Sequence, residues 1–148
     1  MEYALHIDGT RIYQTPEQER AEFEVAQYVA KCTKSIVSKF SKLSPIDWYA
    51  QRYDRLAGVL ELKDREHPTT KYNTVYLSVR KWMALLMAQN GLGIPGIFVA
   101  RFTDGPVLWI RATDVKPNKT IRILGAPDDK EPMIEVPLAD MKPFTEAA

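Results

Sequence analysis

The sequence predicts an α/β sandwich, a mixed central sheet flanked by helices, and three observations predict it. A capped amphipathic helix is followed by three short β-type runs. A second capped helix then separates those runs from two further strands. In the third run Leu60 and Leu62 alternate with Glu61 and Lys63, so the leucines share one face of a strand and the two charges the other.

Taken in order, residues 2 to 14 read as a hairpin, since Tyr3, Leu5 and Ile7 alternate, Asp8-Gly9 supplies a tight turn, and Ile12 and Tyr13 return. Thr15-Pro16-Glu17-Gln18 opens a helix: Thr15 as N-cap, Pro16 at the first helical position, Gln18 closing a capping box. This helix should run to about Lys31 on a stripe of Ala21, Val25, Tyr28 and Val29, extended by Phe23 and Ala26, with Glu22 at its edge. Ile36 to Leu43 and Ile46 to Tyr53 are β-type runs split by Ser44-Pro45, and after a short turn around Gly58 comes the strand Val59 to Lys63. Asp64 to Asn73 is a polar loop. Val75 to Leu77 leads to Ser78, the N-cap of a helix from Val79 to Asn90 ended by Gly91, with Val79, Trp82, Met83 and Leu86 marking its buried face. Ile97 to Phe102 and Val107 to Arg111 flank Asp104-Gly105-Pro106. Ile121 to Gly125 and Met133 to Pro137, joined by an acidic loop, form an added C-terminal hairpin. The 148 residues, 45% of them hydrophobic, suit one domain with a core over about 16–112 and a hairpin extension over about 117–148.

There is no run of eighteen apolar residues, and the first residues lack the basic and hydrophobic regions of a signal peptide, so a cytoplasmic protein is expected. Cys32 is alone, and His6 and His67 are far apart, which excludes an internal disulfide and a Cys/His zinc site. The net charge is only +1, yet it is unevenly spread. From Lys31 to Lys81 eleven basic residues face five acidic ones, a net of +6, whereas from Pro127 to Ala148 two face six, a net of −4. A basic middle and an acidic tail suit a protein that holds a polyanion locally, although a mixed solvated surface gives the same counts.

The chemistry concentrates between Tyr53 and Arg65. With Asp54 on a neighbouring strand end, its carboxylate would meet Glu61, with Lys63 beside them: two hard oxygen donors and a cation. Two rivals of the Asp-x-Lys type fail on context, because Asp114-Val-Lys116 runs into Pro117 and Asp128-Asp-Lys130 lies in a proline-flanked loop. Only Glu61-Leu-Lys63 has alternating leucines beneath it.

Asp54, then Glu61-x-Lys63, resembles the signature of the PD-(D/E)XK nuclease superfamily, small phage-encoded type. Further positions match over roughly Ala21 to Thr103. Ala21-Glu22-Phe-Glu-Val25-Ala26 is similar to the family's first helix and carries Glu22 toward the site, Glu24 less so. Leu77-Ser78-Val-Arg-Lys81 is similar to the turn that enters its second helix and brings Lys81 near. Two positions depart from the pattern: Tyr53 stands where the family has proline before its acid, and only six residues separate Asp54 from Glu61. The resemblance implies a restriction-endonuclease-like fold with N- and C-terminal hairpin additions, and a Mg2+-dependent DNA endonuclease of replication, repair or recombination. Mn2+ would substitute, DNA would be the partner, a homodimer is compatible, and the host cytoplasm would be the location.

Such chemistry needs a positioned water, neutralisation of growing phosphorane charge and help for the leaving oxygen, most of which Mg2+ on carboxylate oxygens supplies. The resemblance implies Asp54 and Glu61 as direct ligands, the Leu62 carbonyl as a third oxygen and Glu22 as support or ligand of a second ion. Lys63 would orient the nucleophile or stabilise phosphorane charge. Lys81, Arg80, Lys71 and Arg52 are candidates for phosphate contacts, each with a solvated surface role as its plain alternative. Trp48, Tyr49 and Tyr53 are candidates for base stacking, with core packing as the alternative, and His67 is a loop histidine without a partner in sequence. Against the endonuclease stands a nuclease-fold binding module with little catalysis, gripping nucleic acid or protein. The intact Asp, Glu and Lys favour the first.

Overall fold

The computed structural model describes residues 15–41, 44–117, 121–128 and 130–145; the hairpin expected over residues 2 to 14 lies outside them. The first helix, α1 (Pro16–Thr33), begins at the predicted capping box. Thr15 Oγ1 accepts from Gln18 N at 3.2 Å, and Gln18 Oε1 accepts from Thr15 N at 3.0 Å. Two otherwise orphaned N–H groups are thereby satisfied. The helix stops at Lys34, whose φ of 51° is left-handed, and its buried line is Val25, Ala26 and Val29, while Phe23 lies outside, 54% exposed.

Three antiparallel strands follow: β1 (Ile36–Lys39), β2 (Trp48–Arg52) and β3 (Arg55–Asp64). β4 (Thr74–Ser78) leaves this sheet and leads into α2 (Val79–Leu92). The chain then returns through β5 (Gly96–Arg101), which lies parallel to β3, and β6 (Val107–Arg111), antiparallel to β5. With β9 (Lys142–Pro143) the central sheet has the order β1-β2-β3-β5-β6-β9. It is the mixed sheet with helices that the sequence predicts.

The C-terminal hairpin is present as β7 (Ile121–Leu124) and β8 (Glu131–Pro137), and β4 joins it, giving a second sheet ordered β4-β8-β7. That join was not foreseen. Val75, Leu77, Ile134 and Val136 are buried there together with Phe98 and Ala100 of the central sheet, so the hairpin is tied to the fold's interior rather than appended to it.

Alternation in β3 decides which layer each side chain meets. Leu60 and Leu62 pack with Val25, Val29 and Trp48 under α1. Val59 packs with Leu85 and Ala88 of α2, on the opposite face. The α2 backbone comes so close to β5 that a Cβ at Gly96 would sit 2.5 Å from the Leu85 carbonyl oxygen. The buried line of α2 is Lys81, Leu85 and Ala88, not the predicted Val79, Trp82, Met83 and Leu86. Trp82 is held by its indole N–H to the Ala112 carbonyl at 2.9 Å, and Val79 and Leu86 are half-buried. Met83 is 54% exposed; an apolar-all-round helix leaves its rotation undetermined by pattern alone, and contact with Gly96 fixes it. Among the described residues no helix is long and apolar enough to cross a membrane.

Candidate active site

Glu61 and Lys63 leave β3 on the α2 face, as their spacing requires. Glu61 is almost wholly enclosed, 1% exposed, and Lys63 Nζ lies 3.2 Å from Glu61 Oε1. The acid across from Glu61 is fixed by register. β2 begins at Trp48 opposite Leu60, so the preceding residue, Asp47, falls opposite Glu61. The Asp47 backbone is held by Phe40, whose N–H donates to the Asp47 carbonyl at 2.8 Å.

The third side comes from α2. Ser78 caps the helix, its hydroxyl accepting from Lys81 N at 3.4 Å, and also bonds Glu131 of β8. Lys81, on the first turn, extends its ammonium to Asp47 Oδ1 at 2.7 Å, to the Pro45 carbonyl at 3.0 Å and toward Glu61 Oε2 at 3.7 Å. Two carboxylates are thus bracketed by two ammonium groups.

Burial governs the titration of Glu61. Enclosure pushes its pKa up to about 7; Lys63 pulls against this, Asp47 adds to it, and Lys81 opposes it again. Burial is the largest influence on Asp47 and acts upward, but Lys81, Glu61 and Lys63 together overcome it and hold that carboxyl below its ordinary value. Lys63 is raised, chiefly by the Glu61 charge. Glu22, reaching in from α1, is raised by burial, while Lys63 lowers it and Asp47 raises it further. Arg65 is lowered by burial, with Glu61 opposing, and one guanidinium nitrogen donates to the Tyr76 carbonyl at 3.0 Å.

Backbone direction adds an oxygen. The N–H groups of Val59 and Arg65 donate toward the β5 side, to Pro95 and Arg101 at 2.9 and 2.8 Å. By strand alternation the peptide groups of Leu62 face the other edge, beyond the end of β2, where Asp47 stands.

These donors fit a hard divalent cation. Neither buried Glu61 carboxylate oxygen has a hydrogen-bond partner; Lys63 and Lys81 compensate the charge at 3.2 and 3.7 Å, and the oxygens keep lone pairs free for a ligand. Among the described residues no three His, Cys, Asp or Glu converge into a ready-made cage. Two carboxylates and a carbonyl nevertheless meet the habit of Mg2+, which is held by one or two carboxylates and keeps several waters.

The model of a family described as "Phage putative PDDEXK endonuclease" matches residues 10–144. The chain belongs to this endonuclease family. The fold agrees: a Holliday junction resolvase, Hjc, of the archaeal hyperthermophile Archaeoglobus fulgidus is similar with a TM-score of 0.54 at 13% identity, over 80% of this chain and 84% of that one. No curated protein matches the chain.

The endonuclease brings Glu61, Lys63, Lys81 and, electrostatically, Glu22 together, with the Leu62 carbonyl on the same edge. Asp54 does not join them. It lies exposed in the two-residue turn between β2 and β3, about 20 Å along the strand from Glu61 at an ordinary rise. Sequence reasoning missed Asp47, whose signal was Pro45-Ile46-Asp47 ahead of a β-type run. Of the expected phosphate contacts, Lys81 is buried among carboxylates rather than displayed, and Arg80 Nε lies 3.7 Å from Glu131. Lys71 is exposed beside the Tyr72 ring. Arg52 donates to the Thr33 carbonyl at 2.8 Å, at the Asp54 end of the hairpin. His67 packs edge-on against Tyr72 and lies against Phe102.

Proposed function

We propose that this endonuclease hydrolyses DNA phosphodiester bonds with Mg2+, or Mn2+ in its place, at the cluster of Asp47, Glu61, Lys63 and Glu22. The observation that carries the reading is the opposition of Asp47 and Glu61 at the end of β2, with Lys63 3.2 Å from Glu61. Asp47, Glu61 and the Leu62 carbonyl would hold the cation, with Glu22 as support. When bound, it supplies neutralisation of phosphate charge and a more acidic water.

The remaining work falls to the chain. Glu61, shielded from solvent, presents its oxygens in a low-dielectric pocket where charge interactions are stronger than in water. Lys63 keeps its proton because Glu61 favours the ammonium, and its half-exposed position lets that charge meet a phosphate oxygen or orient the attacking water. Lys81 neutralises Asp47 and holds the loop before β2 through the Pro45 carbonyl, keeping the two carboxylates in register. Hjc is named as a Holliday junction resolvase, so branched DNA belongs among the substrates to be tried beside plain duplex.

The test is plasmid nicking by wild type, Asp47→Asn, Lys63→Ala and Asp54→Asn, each with Mg2+, Mn2+ or EDTA. Asp47→Asn and Lys63→Ala should lose about 100-fold or more, the scale for removing one charge-stabilising group, while Asp54→Asn cuts normally. Cleavage in EDTA, or full activity of Asp47→Asn, overturns the reading.

A further inference from the structure

The tip of the β2–β3 hairpin has features that the carboxylate cluster does not use. Its turn is Tyr53-Asp54, and Tyr53 has a φ of 56°, the left-handed region that tight hairpin turns fill with glycine or asparagine. A bulky aromatic in this conformation is a steric outlier. The residue is 97% exposed, so neither burial nor backbone preference accounts for tyrosine here. The turn is nonetheless well held: Gln51 Nε2 donates to the Tyr53 carbonyl at 2.8 Å.

Beside the ring runs an open groove of about 760 Å3, lined among others by Lys31, Thr33, Lys34, Ser35 and Arg52, with three basic residues and no acidic one. That volume lies within the range of ligand clefts, about 300–1,000 Å3. Lys31 and Lys34 complement the negative end of the α1 dipole, which accounts for them as helix-end residues. Arg52 is also tied to that helix end, through the Thr33 carbonyl at 2.8 Å, but the exposed Arg55 across the turn is not accounted for in this way. A basic groove that ends on an open aromatic ring has the composition of a single-strand platform, charge tracking the backbone and the ring receiving a base.

We propose that Tyr53 stacks an unpaired base of DNA, with Arg52, Lys34 and Arg55 on the flanking phosphates. The identity of the ligand rests on the DNA-cleavage reading above. Tyr53 lies about 26 Å from Glu61 along the strand at an ordinary rise, equal to about eight nucleotides at a stacked 3.4 Å each, so one strand can occupy both places. A fully paired duplex keeps its base faces stacked on one another and offers Tyr53 nothing. The substrate class is therefore DNA with a single-stranded stretch adjoining a duplex.

The experiment is equilibrium binding in EDTA, by fluorescence anisotropy, of a blunt duplex and of the same duplex carrying a single-stranded extension long enough to span that distance. Wild type should prefer the extended form by about tenfold, the scale of one base–aromatic stack. Tyr53→Phe should keep the preference, and Tyr53→Ala and Tyr53→Gly should bring the ratio close to one. Because glycine adopts a positive φ freely, Tyr53→Gly should melt no lower than wild type, which separates lost stacking from lost folding. No preference in wild type, or a preference that survives in Tyr53→Gly, overturns the proposal. Since no cleavage is involved, a Tyr53-dependent preference in a protein that fails to cut with Mg2+ upholds the tip and sinks the nuclease reading. Cleavage without the preference does the reverse.

Discussion

Replacing Glu61 by glutamine should stabilise the metal-free protein at alkaline pH and do nearly nothing at acid pH. In the fold the Glu61 pKa stands at about 7, against 4.5 for the ordinary side chain. Between those values the native state holds a proton that the unfolded chain has released, so stability falls as pH rises. Below 4.5 both states are protonated and nothing is lost. Above 7 the loss is complete, and at 1.36 kcal/mol per unit it amounts to about 3 kcal/mol. Glutamine has no proton to lose and is spared the whole slope. Glu22 is also raised by burial, but it is present in both proteins and cancels to first order. Asp47 is held low and acts below its ordinary 3.8, outside the window. The assay is urea unfolding of both proteins in EDTA at pH 4.5 and pH 8. With a slope of about 1–3 kcal/mol per M, the variant's midpoint should lead by about 1 M or more at pH 8 relative to its position at pH 4.5. An equal gap at the two pH values would mean that Glu61 ionises as a solvated carboxylate does, and the enclosed-cluster argument would be wrong.

Four further outcomes follow from the same geometry. In excess Mn2+ the melting temperature of wild type and of Asp54→Asn should rise alike, by roughly 5–10 °C for about 2.7 kcal/mol of mass action, and that of Asp47→Asn should rise little; a loss specific to Asp54→Asn would return the metal to the turn. Gly96→Ala should cost about 1–3 kcal/mol in urea, because its methyl meets the Leu85 carbonyl at 2.5 Å; a neutral result would mean that α2 can shift. Ser78→Ala should cost about 1 kcal/mol as a lost N-cap and slow cleavage through Lys81; calorimetry and plasmid nicking read the two effects separately. Lys71→Ala should reduce the log–log salt slope of duplex binding by about 1, and an unchanged slope removes Lys71 from the phosphate contacts.

Where local rules compete with nothing, the sequence could be read directly. The Thr15–Gln18 box and the Ser78 cap lie where their side-chain chemistry demands, and the Glu61–Lys63 alternation delivers both charges to one face. The hairpin before them could not be read, because the turn falls at Tyr53, a residue that disfavours positive φ, while nearby Gly58 suggested a turn there. Gly58 instead lies inside β3, where a Cβ would be 3.4 Å from the Pro95 carbonyl. A turn around Gly58 puts Asp54 in the place that the fold gives to Asp47, opposite Glu61. The join of β4 to β8 was hidden for another reason: pairs such as Leu77 with Ile134 are so distant in sequence that no local pattern encodes them. The α2 face was ambiguous because Met83 and Met87 are as apolar as the residues that are buried.

The hydrogen bond from Ser78 to Glu131 joins residues 53 positions apart, and this has a bearing on when the site is completed during synthesis. On a ribosome, Asp47, Glu61 and Lys63 emerge before α2 and its Lys81. The start of α2, which carries Lys81, has its strand β4 unpaired until β8 follows. At about 5–20 residues per second that interval is about 3 to 10 s. For that time a nascent chain carries the acids without the lysine-bearing helix end secured beside them. Synthesis thus contains its own delay, and the cluster is completed only after β8 has left the ribosome.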